Sequence, residues 1–263
     1  MKIIFQLLWA MLVLVSKFYA QISPTDPEFE AIPIGIKDQL ENTLSCQFTM
    51  PKALLNAEFN QKVIIYLNVD STGHPYNFTC DKGINTSLRV ELIKVLRLMQ
   101  FKRTLRLQNE AAPYFISIPV SVRHYLKYRK QKEKAIVKSK LPIDTSMIIY
   151  TKADVSPTFY KNGDEGLADY FLNDLNYPKL ANEQSIEGTV VVEFVVETNG
   201  YAGNINVKKG VNGGCTEEAV RLIKNTRWQP AEKDGQLVRY KESYPVTFSL
   251  LNKGRTQAQS IGQ

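Results

Sequence analysis

The chain has 263 residues, 44% hydrophobic and 22% charged, with a formal net charge of +7 at pH 7. That length suits about two domains, and the composition excludes a largely disordered or low-complexity chain. Two His and three Cys leave little material for a metal centre or a catalytic triad.

At the N-terminus, Lys2 precedes an apolar run, Ile3–Ser16, and Phe18-Tyr19-Ala20 leads into Gln21. The run fits the hydrophobic region of an export signal and falls short of the roughly 20 residues that span a bilayer. Cleavage between Ala20 and Gln21 is expected, with an uncleaved membrane anchor as the alternative. Cleavage removes Lys2 and Lys17 and no acid, leaving a mature charge of 7 − 2 = +5.

From residue 21 to 128 the pattern reads α-β-β-α-β. Lys37–Ser45 is predicted helical, with Leu40 and Leu44 on one face. Met50-Pro51 and Ala53–Leu55 make a second short helical piece. A hairpin follows over Gln61–Cys80, where Val63, Ile65, Leu67 and Val69 alternate with more polar residues, the period of a strand with one buried face. Leu88, Leu92, Val95, Leu96 and Met99 then recur at helical spacing, and Tyr114–Val122 alternates as a last strand.

Arg123–Lys140 carries eight Lys or Arg against Glu133. It reads either as a patch for anionic partners or as a solvated linker. The linker, placed at 129–156, is preferred because no exposed aromatic pairs interleave the basic residues and export keeps the chain from nucleic acid.

The second half repeats the order. Gly166–Leu175 is predicted helical and Tyr177-Pro178 breaks it. Val190, Val192, Phe194 and Val196 alternate before Asn199-Gly200, a dipeptide suited to a two-residue hairpin turn. Ile205 and Val207 face inward on the return. Thr216 is the expected N-cap of the next helix, Glu217 and Glu218 fill its first turn, and Glu217 and Arg221 form an i,i+4 pair. Trp228 closes this helix on the core, and Val238–Leu250 is the last strand. Residues 252–263 are expected to be disordered.

The halves superpose at a fixed offset. Gly73 answers Gly200, 200 − 73 = 127, and the same offset maps Pro51 onto Pro178, Asn77 onto Asn204, Gly83 onto Gly210 and Phe101 onto Trp228. An offset of 126 then maps Tyr114 onto Tyr240 and Pro119 onto Pro245. The expected fold is therefore α+β, two tandem α-β-β-α-β domains at 21–128 and 157–251, each a small antiparallel sheet with helices on one face.

Tyr177-Pro178, Ile186-x-Gly188, the strand at 190–196, Asn199-Gly200, Gly210, Glu217–Ala219, Trp228-x-Pro230, Gly235 and Tyr244-Pro245-Val246-x-Phe248 together resemble the TonB C-terminal domain. Pro157–Phe159 with Gly163 is similar to the segment that leads into that domain. The first half looks like a divergent copy, with Met50 for Tyr177, Gln61 for Gly188 and Phe101 for Trp228. The resemblance implies a periplasmic module of a Gram-negative envelope that pairs with an extended segment of an outer-membrane transporter, or of another envelope protein, by strand addition. On this chain the implied contact residues are Arg239, Tyr240, Lys241, Glu242, Ser243 and Tyr244, with Gln229 and Pro230 in the preceding loop. An envelope scaffold without a transporter partner is the alternative. A membrane-anchored energy transducer is a third reading if the N-terminus is retained, although the apolar run has no His and no long Pro-rich spacer follows it.

No enzyme, metal or cofactor is expected. His74 and His124 lie away from any ligand or triad spacing, and the glycines at 210, 213 and 214 lack the Lys-Ser/Thr of a phosphate loop. Membrane contact is expected only through an uncleaved N-terminus. Cys46 and Cys80 fall within the first predicted domain, where either a bridge between them or two buried free thiols would fit. Cys215, at a helix start, is expected to be unpaired with a lowered pKa.

Overall fold

The structure is a computed structural model, and it describes residues 29–55, 58–103, 113–126, 137 and 139–252. The export signal with Ala20 and Gln21, most of the basic run and the tail beyond Asn252 lie outside the described residues. Among those described, no helix is long and apolar enough to cross a membrane.

The architecture is α+β, and the chain divides into two units: Met1–Ile34 with Gln47–Lys127, and Gly35–Cys46 with Tyr128–Gln263. The first helix, α1 (Gln39–Gln47), thus falls almost wholly in the second unit, not in the first as its sequence position suggests. Its buried residues are Gln39, Asn42, Thr43 and Cys46, while Leu40 and Leu44 are only half-buried. Polar contacts fix it there. Ile36 N–H donates to the carbonyl of Ile205 (3.1 Å) and Asn199 Nδ2 to the carbonyl of Cys46 (3.2 Å). The Lys224 ammonium meets the Asp38 carboxylate.

In the first unit, β1 (Asn60–Val69) is the middle of a three-stranded antiparallel sheet between β2 (Pro75–Cys80) and β3 (Tyr114–Ser121). Val63, Ile65 and Leu67 lie opposite Ile118, Ile116 and Tyr114, and all six are buried. Helix α2 (Thr86–Arg97) starts on Asn85, whose side chain accepts the Leu88 N–H at 3.1 Å, and buries Leu88, Leu92, Val95 and Leu96. Met50 and Phe101, which stand for Tyr177 and Trp228 in this half, are both buried.

The second unit begins with the short strands β4 (Ile149–Tyr150) and β5 (Thr158–Phe159), then α3 (Gly163–Asp174) and α4 (Lys179–Glu183). The hairpin of β6 (Gly188–Val196) and β7 (Ala202–Lys209) leads to α5 (Cys215–Asn225), to β8 (Trp228–Gln229) and β9 (Ala231–Lys233), and to the long β10 (Gln236–Phe248). The sheet order is β4-β10-β6-β7, with β9 also on β10 and β5 pairing β8. Its core gathers Val190, Val192, Phe194 and Val196 with Ile205, Leu222, Ile223, Trp228 and Phe248.

The two hairpin corners are built alike. In the second unit Gly200 N–H donates to Glu197, Glu197 N–H to Tyr201 and Trp228 N–H to Gly200, at 2.8, 2.9 and 2.9 Å. In the first, Gly73 donates to Asp70, Asp70 to His74 and Phe101 to Gly73, at 3.1, 3.0 and 2.8 Å. Gly200 sits at φ +80° and Gly73 at φ +88°, and Asn199 is not left-handed. The corner is therefore a turn closed by a left-handed glycine, longer than the two-residue turn that Asn-Gly suggests. Beyond each corner the register slips by one residue, beside Asn77 (φ +54°) and Asn204 (φ +43°).

Several expectations change. Leu67 lies opposite Tyr114, and its counterpart Phe194 lies opposite Glu242. Pairing therefore equates Tyr114 with Glu242, two residues from the Tyr240 that the offset of 126 chose. Thr216 is not the N-cap of α5: Gly214 is, and the Thr216 hydroxyl instead closes the preceding loop, donating to Val211 O at 2.8 Å and accepting from Val211 N at 2.9 Å. Arg221 pairs with Glu218, not Glu217, through bonds of 2.7 and 2.8 Å. Cys46 and Cys80, expected to be bridged or buried as thiols, form no disulfide, and they fall in different units. Burial, with Glu217 beside it, pushes the Cys215 thiol up rather than down.

Candidate partner-binding edge

The residues expected to meet a partner separate into three groups. Gln229 is already paired in β8 opposite Thr158, and Pro230 is buried. Arg239 is also buried. Its guanidinium grips Glu197 through two bonds, Nε to Oε2 at 2.8 Å and Nη2 to Oε1 at 2.9 Å, and Nη1 donates to Met147 O at 3.1 Å. Arg239 and Tyr240 are also paired through their backbones with Ile149 and Tyr150 of β4, which runs parallel to β10. The Tyr240 hydroxyl donates to Thr151 O at 3.1 Å. These residues hold the unit's own chain.

The third group, from Lys241 onward, is different. Lys241–Phe248 pairs with β6 along its whole length, from Lys241 opposite Val195 to Phe248 opposite Gly188. Among the described residues no strand lies on its other side. The open run is eight residues, about 26 Å at roughly 3.3 Å per residue.

Which backbone groups face that side follows from the alternation along a strand. Leu237 sets the phase, since its N–H donates to Pro142 O at 2.8 Å and its carbonyl accepts from Asp144 N at 2.9 Å, both away from β6. Arg239, Lys241, Ser243, Pro245 and Thr247 share that phase, while Tyr240, Glu242, Tyr244 and Val246 bond to β6. The Ser243 N–H is taken by the Glu242 carboxylate at 3.0 Å. Pro245 has no N–H, which is tolerable because its nitrogen faces the open side. The edge beyond Tyr240 therefore offers carbonyls at Lys241, Ser243, Pro245 and Thr247 and an N–H donor at Thr247, since the parallel pairing of Tyr240 with Tyr150 turns the Lys241 N–H to the Tyr150 carbonyl. It is rich in acceptors and poor in donors.

Side chains frame the edge on both faces. Lys241, Ser243, Pro245 and Thr247 are exposed on the outer face, where Glu193 lies 3.6 Å from Lys241 and 3.2 Å from Lys208. On the inner face Tyr244 stacks on Phe171, ring centroids 4.7 Å apart at 10°. Burial, with Asp164 nearby, pushes the Tyr244 phenol up, so it stays neutral at physiological pH. Tyr170 behind it donates to Leu222 O at 3.0 Å and is pushed up to about 12, by burial first and then by Asp174. The inner face is apolar packing.

The family resemblance implied β10 as the edge strand but could not show that β4 covers its first part. Ile149-Tyr150 is too short to register as a strand, and it lies in a stretch that reads as linker. Among the described residues no three His, Cys, Asp or Glu come together as metal ligands.

Residues 173–250 match the family described as Gram-negative bacterial TonB protein C-terminal. The match lies within the second unit and covers less than a third of the chain. Among solved structures, the chain is similar to the NMR solution structure of the Helicobacter pylori TonB C-terminal domain. The two are 25% identical with a TM-score of 0.27, over 32% of this chain and 77% of that one. No curated protein matches.

Proposed function

We propose that this is an exported periplasmic protein of two tandem TonB C-terminal-like units, processed between Ala20 and Gln21. Its second unit binds an extended segment of an outer-membrane transporter, or of another envelope protein, by strand addition to β10. The observation that carries this reading is the open run Lys241–Phe248 within the TonB C-terminal match. A strand laid there would donate to four outward carbonyls, and paired backbone would supply affinity without demanding a particular side chain. The tandem arrangement is supported by the matched corner hydrogen bonds, by the paired left-handed glycines and by the slip beside Asn77 and Asn204.

The test is a titration of the isotope-labelled mature chain with a peptide of the periplasm-facing N-terminal segment of a transporter from the same host. Amides of Lys241, Ser243 and Thr247 are expected to shift, and the first unit is expected to stay silent. Thr247→Pro places a ring on the open side while leaving the bonds to β6 intact, and it should weaken binding about tenfold, the scale of one or two backbone hydrogen bonds. Shifts confined to Gln229 and Pro230, or no shifts, would overturn the reading.

The scaffold reading has an observation of its own in the Glu242 carboxylate on the Ser243 N–H and the proline at 245, both devices that discourage pairing. It predicts that no transporter segment binds and that β10 amides stay unchanged at any peptide concentration.

A further inference from the structure

We infer that residues 142–150 are a built-in occupant of the strand-addition edge, a strap that an added strand must displace to use the full length of β10. This rests on the strand-addition reading above and extends it to competition within the unit. The strap makes the contacts a partner strand would make. Pro142 and Asp144 bond the outward N–H and carbonyl of Leu237, and Ile149-Tyr150 then runs parallel to Arg239-Tyr240. It covers outward positions 237 and 239 and, through the pairing of Tyr240 with Tyr150, reaches the Lys241 N–H before the edge opens.

Three features mark the strap as held lightly. Near its middle, Met147 sits at φ +64°, a left-handed conformation that costs a non-glycine residue strain. Ile143 and Ile148 are 55% and 52% exposed, so their apolar side chains contribute little burial to hold it. What fixes the loop is polar and local: the Asp144 carboxylate accepts from Ser146 N at 2.8 Å and from Ser146 Oγ at 2.7 Å, and Arg239 donates to Met147 O. A structural cover would instead bury its isoleucines. An occupant that can leave keeps its ties in the backbone, where a competing strand can replace each of them.

The experiment uses the mature full chain and one probe, a synthetic peptide of residues 139–152 added in trans. In Asp144→Pro the N–H that bonds Leu237 is gone, and the strap is expected to lift from β10. Amides of Leu237 and Arg239 should then exchange faster in the variant, while Tyr244 and Val246, bonded to β6, keep their protection. The peptide should bind the variant about tenfold more tightly than the parent, with shifts at Leu237–Tyr240. Asp144→Ala keeps the N–H but loses both bonds to Ser146, and should show a smaller gain of about threefold without a proline in the chain. Equal affinity for the parent and both variants, or shifts that avoid Leu237–Tyr240, would overturn the inference. If the strap peptide binds the loosened form while transporter peptides bind neither form, the occupancy stands and the functional reading fails.

Discussion

In each unit the last strand of the hairpin sheet is met on its outer side by a segment running parallel to it, but at different places. In the first unit Glu30 pairs with Phe115, and Ala31 N–H donates to Phe115 O at 2.7 Å. Phe115 lies opposite Tyr66, and the counterpart pair in the second unit is Ser243 opposite Glu193. The position covered in the first unit is therefore open in the second. The first unit also seals its cover with apolar contact, Phe29, Ile64 and Tyr66 packing on Phe115. In the second the corresponding face carries Glu193, Lys208 and Lys241. The two edge strands are thus covered at different positions, and the face beside that position is apolar in the first unit and charged in the second.

The sharpest way to break this comparison is at the charged position of the corner. Asp70 and Glu197 are equivalent, yet Asp70 caps an exposed turn while Glu197 is buried on Arg239. Glu197→Ala leaves the guanidinium buried without its partner, which should destabilise the second unit by about 3–5 kcal/mol. Denaturant unfolding followed by Trp228 fluorescence checks this. The double replacement Glu197→Met with Arg239→Met should recover most of the loss, since apolar residues of similar volume remove both charges together. A double variant no better than the single would mean that Arg239 stabilises through Met147 instead.

The corner glycines give the next effect. A Cβ on Gly200 would lie 2.4 Å from Trp228 O, and one on Gly73 would lie 3.0 Å from Phe101 O. Both are left-handed, so alanine carries a conformational cost of about 1–2 kcal/mol at either site. Whereas at Gly73 the Phe101 carbonyl need give by only a few tenths of an ångström, Gly200→Ala must also push a backbone carbonyl well aside. Its loss should reach about 3 kcal/mol, against about 1–2 kcal/mol for Gly73→Ala. Equal losses would show that conformation alone decides and that the tighter approach at Gly200 relaxes freely.

Much of this architecture was legible in residue order. Period-two valines, the glycine after each corner and the helical spacing from Leu88 to Met99 name the elements, because each encodes a local preference that tertiary packing did not override. The placement of α1 was not legible. Leu40 and Leu44 suggested an apolar face, but the helix buries Gln39, Asn42 and Thr43, and Gln39 Oε1 lies buried with no hydrogen-bond partner. A polar buried face has no period by which to read its partner sheet. The register of β10 was also out of reach by two residues, since alternation repeats every two and any even shift preserves it. For the site, the resemblance pointed to the strand but not to which half of it was free. That depended on a two-residue pairing from a distant segment, which leaves no periodic trace.

The smallest expected effect sharpens the corner comparison through pH. The Asp70 carboxyl accepts from the Thr72 hydroxyl at 2.7 Å and from the N–H groups of Thr72 and His74 at 2.8 and 2.9 Å. The Thr72 hydroxyl bond chiefly holds it below the usual carboxylate range, with the two N–H groups adding and partial desolvation opposing. A depressed folded pKa means stability that is fully present above the unfolded value, near 3.9, and lost as pH falls through the folded one. Asp70→Asn keeps an acceptor oxygen but no charge, so it should flatten the acid limb of first-unit unfolding below about pH 4. At neutral pH the change should stay under about 1 kcal/mol, because the turn is exposed and its charge is screened. A side-chain NMR titration of Asp70 gives the same answer from the folded state alone. A midpoint at or above the ordinary value would mean that the turn is held by Gly73 and its backbone bonds, with the carboxylate a bystander.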